Sequence, residues 1–368
     1  MHRLKPVFLF LAVLLQGCLP VKSLFYGAPD DKDILRFPAS AIKSSGNCFE
    51  FFSDQSGIAK KIKVNEWGSG IPYFLPLDEL CGKHSVRSFI IIRNDTLLYE
   101  YYRNDLNTVS LHASYSIAKS FTSALTGIAI QEGFIKSERD KVLDYLPELS
   151  GIEGAEHLLI EHLLNMTSGI KYKLNTDAQL YYGNNTKRVL KQLQFDTKPG
   201  TRQEYLNINI HLLGLILHRS TGKQPADYMS EKLWKPLGMC SDAVWTRDRK
   251  GENLSFCCMG ATALDYARFG RLYLNRGNWN GKQIVPAEWY EKSIERDTTE
   301  GSSFNYNYCW HIGDKQYGDF MADGMYKQHI YIYPAKNVVI VLLADKENLL
   351  KAERTQWRNV FHQIVDQL

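Results

Sequence analysis

From Ser116 to Gln131 the chain is apolar or small at almost every position, with Ile117, Ala118, Phe121, Ala124, Leu125, Ile128 and Ala129 covering most of a helical circumference. Gly133 stops the run. A helix apolar nearly all round has to be buried, because no face of it suits water. One lysine, Lys119, lies inside it. Its amine is therefore carried into the interior, where it must be paired, neutralised or put to use. Ser116 comes three residues earlier, which sets hydroxyl and amine on one helix face within mutual reach. That pairing is a minimal device for turning an alcohol into a nucleophile. The helix N-terminus adds free N–H groups and a field that favours developing negative charge.

The spacing alone is weak. Ser-x-x-Lys also occurs at Ser40/Lys43, Ser168/Lys171 and Ser220/Lys223, but only Ser116 opens a buried helix. Tyr-x-Asn occurs at Tyr102, Tyr182, Tyr205 and Tyr273. Tyr205-Leu206-Asn207 follows Pro199-Gly200 by a short run and directly precedes an apolar helix, so its phenol can enter a cleft facing Ser116 and Lys119. Lysine and tyrosine ordinarily titrate near ~10.4 and ~10. Buried together they can share one proton, an ammonium stabilising a phenolate, and either can take the serine proton and return it to a leaving group. Asn207 is placed to hold the lysine by a hydrogen bond. Tyr172 and Tyr182 are candidates for the mouth of the cleft. Glu161 lies in Glu-x-x-Leu-Asn, upstream of the tyrosine motif and within a helical stretch, and reads as structural, as do His162, His211 and His218.

Ser88 to Arg93 and Thr96 to Tyr102 are strand-like and separated by Asn94 and Asp95, a hairpin signal. The middle of the chain is helical, with candidates at 157–165, 208–220, 225–233 and 263–275. The end returns to strands at 308–312, 329–333 and 338–344, then a closing helix over 349–367. This pattern predicts an α/β fold of α+β type: one antiparallel sheet built from both termini, flanked by helices, with a mostly helical lobe inserted. The expected division is a leader over 1–18, a tether and lead-in over 19–84, and a hydrolase domain over 85–368.

His2, Arg3 and Lys5 precede the apolar run Val7 to Leu15, which is too short to span a bilayer. It ends in Leu15-Gln16-Gly17-Cys18, which resembles the lipobox of bacterial lipoproteins, in which the cysteine becomes lipidated. The expectation is a lipid anchor on Cys18 and a place in the bacterial cell envelope, on the periplasmic or outer-surface side; the alternatives are an ordinary cleaved secretory signal and an uncleaved anchor, and all three place the folded part outside the cytoplasm. Net charge is only +4, with no basic block, so nucleic acid is not an expected partner. Beyond Cys18 there are six cysteines, Cys48, Cys81, Cys240, Cys257, Cys258 and Cys309. Export permits disulfides among them. Strain disfavours a bridge between the neighbours Cys257 and Cys258, and buried free thiols fit as well as bridges do. No CxxC pair or histidine cluster suggests a metal site, and no organic cofactor is implied.

Several passages occur together in one order: Tyr115-Ser116-Ile117-Ala118-Lys119-Ser120, Leu163 to Gly169, Pro199-Gly200 leading to Tyr205-Leu206-Asn207, Leu212-Leu213-Gly214, Pro236 to Met239, and Asp265 to Leu272. With them the sequence resembles the serine β-lactamase-like hydrolases from about residue 86 to the end: class C β-lactamases, D,D-peptidases of the penicillin-binding type, related esterases and 6-aminohexanoate-dimer hydrolases. The resemblance implies a β-lactamase/transpeptidase-like fold. It also implies Ser116 as nucleophile, Lys119 as its activating neighbour and Tyr205 as general base and acid. The N–H of Ser116 would form half of an oxyanion hole. The other half belongs just after a Lys/His-Thr/Ser-Gly motif, and the nearest equivalent is Ala322-Asp323-Gly324, followed by Met325. The cation that receives a carboxylate is thus replaced by Ala322, and Asp323 would repel one, although Lys327 could restore some positive charge. The expected substrate is a small neutral ester or amide, or a peptide. The alternatives are a D,D-carboxypeptidase or β-lactamase, and a non-catalytic envelope binding or sensor protein on the same fold.

Overall fold

The computed structural model describes residue 22 and residues 25–54, 56–65, 74–346 and 356–368. The leader over 1–18, Cys18 included, lies outside the described residues.

The centre of the molecule is an eight-stranded sheet. Its strands are β1 (Phe52–Ser53), β2 (Val86–Arg93), β3 (Thr96–Tyr102), β4 (Tyr306–Asn307), β5 (Trp310–Ile312), β6 (Phe320–Gly324), β7 (Gln328–Tyr333) and β8 (Val338–Ala344), in spatial order β4-β5-β6-β7-β8-β2-β3-β1. All neighbours are antiparallel except β1, which runs parallel to β3. The hairpin of β2 and β3 turns on Asn94 and Asp95, both at positive φ (50° and 58°), the conformation that a tight two-residue turn requires. The seam between the two ends of the chain is β8 against β2, from Val338 opposite Arg93 to Leu343 opposite Ser88. One sheet drawn from both termini is thus what the structure contains.

Strand β8 is Val-Val-Ile-Val-Leu-Leu-Ala, buried throughout, because both faces of the sheet are covered. Its residues alternate between two cores. Val339, Val341 and Leu343 face the core shared with α1 (Ile117–Gln131), α2 (Asn207–Thr221) and α3 (Ala263–Leu274). Val338, Ile340 and Leu342 face the core under α4 (Trp357–Gln367). The helical lobe occupies the middle of the chain and packs on α1. Helix α1 is buried from Ile117 to Ala129, as its composition demands.

Some boundaries move. The helix expected over 157–165 shrinks to Ile160–Leu164, and that over 225–233 ends at Met229, continuing as a π-turn over Ser230–Trp234. Helices Leu174–Tyr182 and Ala287–Ile294 are additional to those expected. The closing helix begins at Trp357, and the expected start at Leu349 falls outside the described residues.

The described part of the lead-in is built into the fold rather than trailing from it. Ala39–Ile42 pairs with Ala243–Thr246 in a second, four-stranded sheet that also holds Met259–Ala261 and His112–Ala113. A disulfide joins Cys48 to Cys240. Short polar sequences conceal this role because each contributes only one or two buried side chains. Against expectation, Cys257 and Cys258 are also bridged. The chain already turns sharply there, with Cys258 at φ 69°, so the neighbouring thiols are brought together by the fold. Cys81 and Cys309 are buried free thiols.

Gly127 on α1 tests the packing. A β-carbon there would lie 2.4 Å from the ring of Trp289, itself buried. Gly127→Ala is expected to destabilise the protein by about 1–3 kcal/mol despite alanine's better helix propensity, read as a lower denaturant midpoint with an unchanged m-value.

Candidate active site

Ser116 stands at the N-cap of α1, yet its hydroxyl makes no capping bond, so it is free for other work. The preceding residue, Tyr115, has φ 42°, a conformation costly for a bulky side chain, and its ring is held edge-on to Tyr326 at 5.2 Å. This bend points the start of α1 into a cleft between the sheet and the helical lobe.

One turn into α1, Lys119 is buried, with its Nζ 2.8 Å from Ser116 Oγ. The same nitrogen donates to the carbonyl of Phe256 at 2.9 Å. Burial pulls the amine down from 10.5 to about 7, and the nearby Cys309 and Asp177 only partly resist. A substantial fraction is therefore neutral at pH 7 and able to accept a proton from Ser116.

Tyr205 reaches the same point from the loop before α2. Tyr205 is 43% exposed, with its phenol facing the Ser116 hydroxyl. Burial pushes its pKa well above the ordinary value, and the neighbouring Ser116 hydroxyl offsets only part of this. Lys119 Nζ lies 5.0 Å from the ring centroid, and Tyr306 packs edge-on to the ring at 5.7 Å. His311, its basicity lowered mainly by burial, adds a further wall with ring centres 6.5 Å apart. The sequence suggests an ammonium beside a phenolate. In the structure burial is the largest influence on each group and disfavours the charged form of both.

The opposite wall is β6. Strand β5 pairs only with Phe320 and Met321, which leaves the edge of Ala322 to Gly324 open towards Ser116. Gly324 is required there: a β-carbon would come within 2.7 Å of the Ser114 carbonyl and 3.3 Å of the Ser116 nitrogen. Met325 follows at the tip of the β6–β7 hairpin, its side chain about half exposed. Asp323 lies 3.0 Å from His329 Nδ1. Burial would push its carboxyl up, but His329 and His311 outweigh that and hold it below the usual carboxylate range.

Other expected residues are not brought to this point. Asn207 donates to Asp177 Oδ1 at 3.2 Å, not to the lysine, because α2 begins at Asn207 and turns its amide towards helix Leu174–Tyr182. Tyr182 is buried, bonds to the carbonyl of Gly27 and stacks with Tyr26, so it anchors the lead-in instead of lining the cleft. Tyr172 is exposed, and among the described residues no contact joins it to Ser116, Lys119 or Tyr205. Lys327 places its ammonium over Trp357, on the α4 side of the sheet, and so brings no positive charge to the cleft. Glu161 sits among Glu138, Arg139, Asp297 and Lys292, not beside Ser116. His162 receives the Leu159 N–H, and burial lowers its pKa to about 4. His211 is lowered to about 4 in the same way. His218 pairs with Glu252 at 3.0 Å. Among the described residues no His, Cys, Asp and Glu cluster is arranged to hold a metal ion.

Sequence reasoning missed the Phe256 carbonyl, Asp177, Tyr306, His311 and His329. A backbone acceptor leaves no mark in a sequence. Tyr306 and His311 do carry one, since a tyrosine and a histidine five residues apart flank the short β4–β5 hairpin.

Known proteins share both the sequence pattern and the fold. Residues 84–364 match the Beta-lactamase family. A 6-aminohexanoate-dimer hydrolase from Paenarthrobacter ureafaciens is 29% identical over 298 residues, covering 73% of this chain and 74% of that protein. A Bacillus anthracis structure with a provisional assignment as a 6-aminohexanoate-dimer hydrolase superposes with TM-score 0.79 at 26% identity, covering 90% of each chain. A class C beta-lactamase structure, 18% identical over 79% of this chain and 94% of its own, has TM-score 0.61 and shares the fold.

The state of Lys119 can be read from Ser116 reactivity. The rate of labelling by a fluorophosphonate should rise with pH through a midpoint near 7, as the amine loses its proton. Asp177→Asn removes a negative charge that favours the ammonium, so this midpoint should move to lower pH.

Proposed function

The chain belongs to the beta-lactamase family, and on that premise we propose that it is a serine hydrolase cleaving a neutral ester or amide through an acyl-enzyme on Ser116. The observation that carries this reading is a desolvated Lys119 amine 2.8 Å from a serine hydroxyl that caps nothing. Ser116 Oγ attacks the substrate carbonyl as its proton passes to Lys119. The N–H groups of Ser116 and Met325 receive the oxyanion, the second presented by the close approach of Gly324. Tyr205 hands a proton to the leaving alcohol or amine and takes one from Lys119. A water then attacks the acyl-enzyme, with the same two groups returning a proton to Ser116.

Substrate charge follows from the open edge of β6. Ala322 offers no cation to a substrate carboxylate, and Asp323 keeps its negative charge beside the cleft. Both features favour uncharged acyl groups over β-lactams and cell-wall peptides.

For its setting, we propose an exported protein held on the envelope by a lipid on Cys18. The Cys48–Cys240 bridge suits an oxidising compartment.

Ser116→Ala should abolish fluorophosphonate labelling and reduce p-nitrophenyl acetate turnover at least ~10³-fold. Tyr205→Phe should reduce turnover about 10²–10⁴-fold while leaving the serine in place. The wild-type protein should turn over p-nitrophenyl acetate far better than nitrocefin; the reverse preference would contradict the substrate class. Partitioning of the wild-type protein into Triton X-114, lost in Cys18→Ser, checks the anchor separately.

A further inference from the structure

Away from the cleft, three cations converge on one groove. Arg188, Arg249 and Lys250 line a space of about 530 Å³ whose walls also include Gln179, Tyr182 and Asn184, and no carboxylate is among the lining residues described. All three are exposed, and among the described residues none has a side-chain ion pair or hydrogen bond. The carboxylates next to them in sequence are engaged elsewhere. Asp248 receives the N–H and hydroxyl of Thr186, and Glu252 pairs with Lys187 and His218. Lys22 extends the positive patch, donating to the Tyr182 carbonyl and to Asn184 Oδ1 at 2.9 and 2.7 Å. Its basicity is lowered first by burial and then by the charge of Arg249, a sign that the positive field is not neutralised locally.

Two large apolar side chains stand beside these cations. Phe25 is 79% exposed and Leu35 is 76% exposed. Phe25 packs edge-on to Tyr26, which stacks on Tyr182 in the groove wall. Leu35 adjoins Arg36, whose guanidinium pairs with Asp30 and Asp33 and so adds no free charge, and which lines the neighbouring cavity together with Lys22, Tyr26 and Arg249. Exposed aromatic and aliphatic side chains among cations suit the interface of a bilayer, where rings enter the headgroup layer and cations meet phosphates.

The position of this face selects the source of the phosphate. Cys18 precedes Lys22 by four residues, which extended reach at most ~14 Å. We propose that the face formed by the Arg188–Arg249–Lys250 groove, Lys22 and Phe25 docks on the phosphate headgroups of an anionic bilayer. This proposal rests on the envelope reading given above. It turns the lipid from a simple tether into one of two contacts and fixes which side of the enzyme meets the membrane.

The test uses the chain from Leu19 onward, which keeps every described residue and lacks the lipid. Its sedimentation with phosphatidylglycerol-rich vesicles should exceed that with pure phosphatidylcholine by at least about tenfold, and should fall as salt is raised. Arg188→Gln, Arg249→Gln and Lys250→Gln combined should remove the difference while p-nitrophenyl acetate turnover stays unchanged, which also shows that the variant folds. Arg188→Lys with Arg249→Lys should retain binding, since the charges and not a fixed hydrogen-bond geometry are responsible. Equal sedimentation with both vesicles, or full anionic binding by the triple variant, overturns the proposal. So does a rise in unfolding temperature with inorganic phosphate alone and no vesicle binding, which would assign the groove to a small anion. Because the lipid is absent throughout, the vesicle result bears on the docking face alone, and detergent partitioning of the wild-type protein tests Cys18 independently.

Discussion

The chemistry proposed for this protein depends on keeping one amine dry. In water Lys119 would be an ammonium, with no lone pair to receive a proton. Inside α1 its pKa falls from 10.5 to about 7. The lowered pKa works against folding wherever the unfolded chain would hold the proton: at neutral pH and below it costs the native state on the order of 5 kcal/mol, and the penalty fades as pH rises towards 10.5. The apolar faces of α1 and the Phe256 carbonyl offset that cost. The amine has two anchors, one structural and one reactive, and only the reactive one, Ser116 Oγ, can yield a proton.

The second requirement is close approach, and it is met by small residues at different points of the chain. Gly324 lets β6 touch the backbone at Ser114 and Ser116, and Gly127 lets α1 lie against Trp289. These contacts fix the depth of the cleft between sheet and helical lobe. Tyr205 then completes the site from a loop, its ring braced by Tyr306 and His311 rather than by the lysine alone.

Much of this is legible in the residues. The all-round apolar run after Ser116 dictates a buried helix, the Asn94-Asp95 turn a hairpin, and the run Val338 to Ala344 a strand. Ser116 and Lys119 share the first turn of one apolar helix, and Tyr205, just before another, comes beside them, with Lys119 Nζ 5.0 Å from its ring centroid. The failures have a common cause: side-chain direction is set by neighbours distant in sequence. Asn207 could turn to Lys119 or to Asp177, and only the placement of helix Leu174–Tyr182 decides. Tyr182 and Lys327 are equally ambiguous until Tyr26 and Trp357 are placed. Local strain argues against a Cys257–Cys258 bridge, yet the chain turns sharply at Cys258 as it enters strand Met259–Ala261, which brings the two thiols together.

The seam of β8 against β2 joins segments separated by most of the chain, and β6, the wall beside Ser116, is also a late segment. A nascent polypeptide that has not yet produced these strands carries Lys119 hydrated and protonated, next to an ordinary alcohol. On the proposed mechanism, reactivity therefore arrives only with the last strands: an unfinished molecule would be chemically silent, and any event that parts the two ends would silence a finished one.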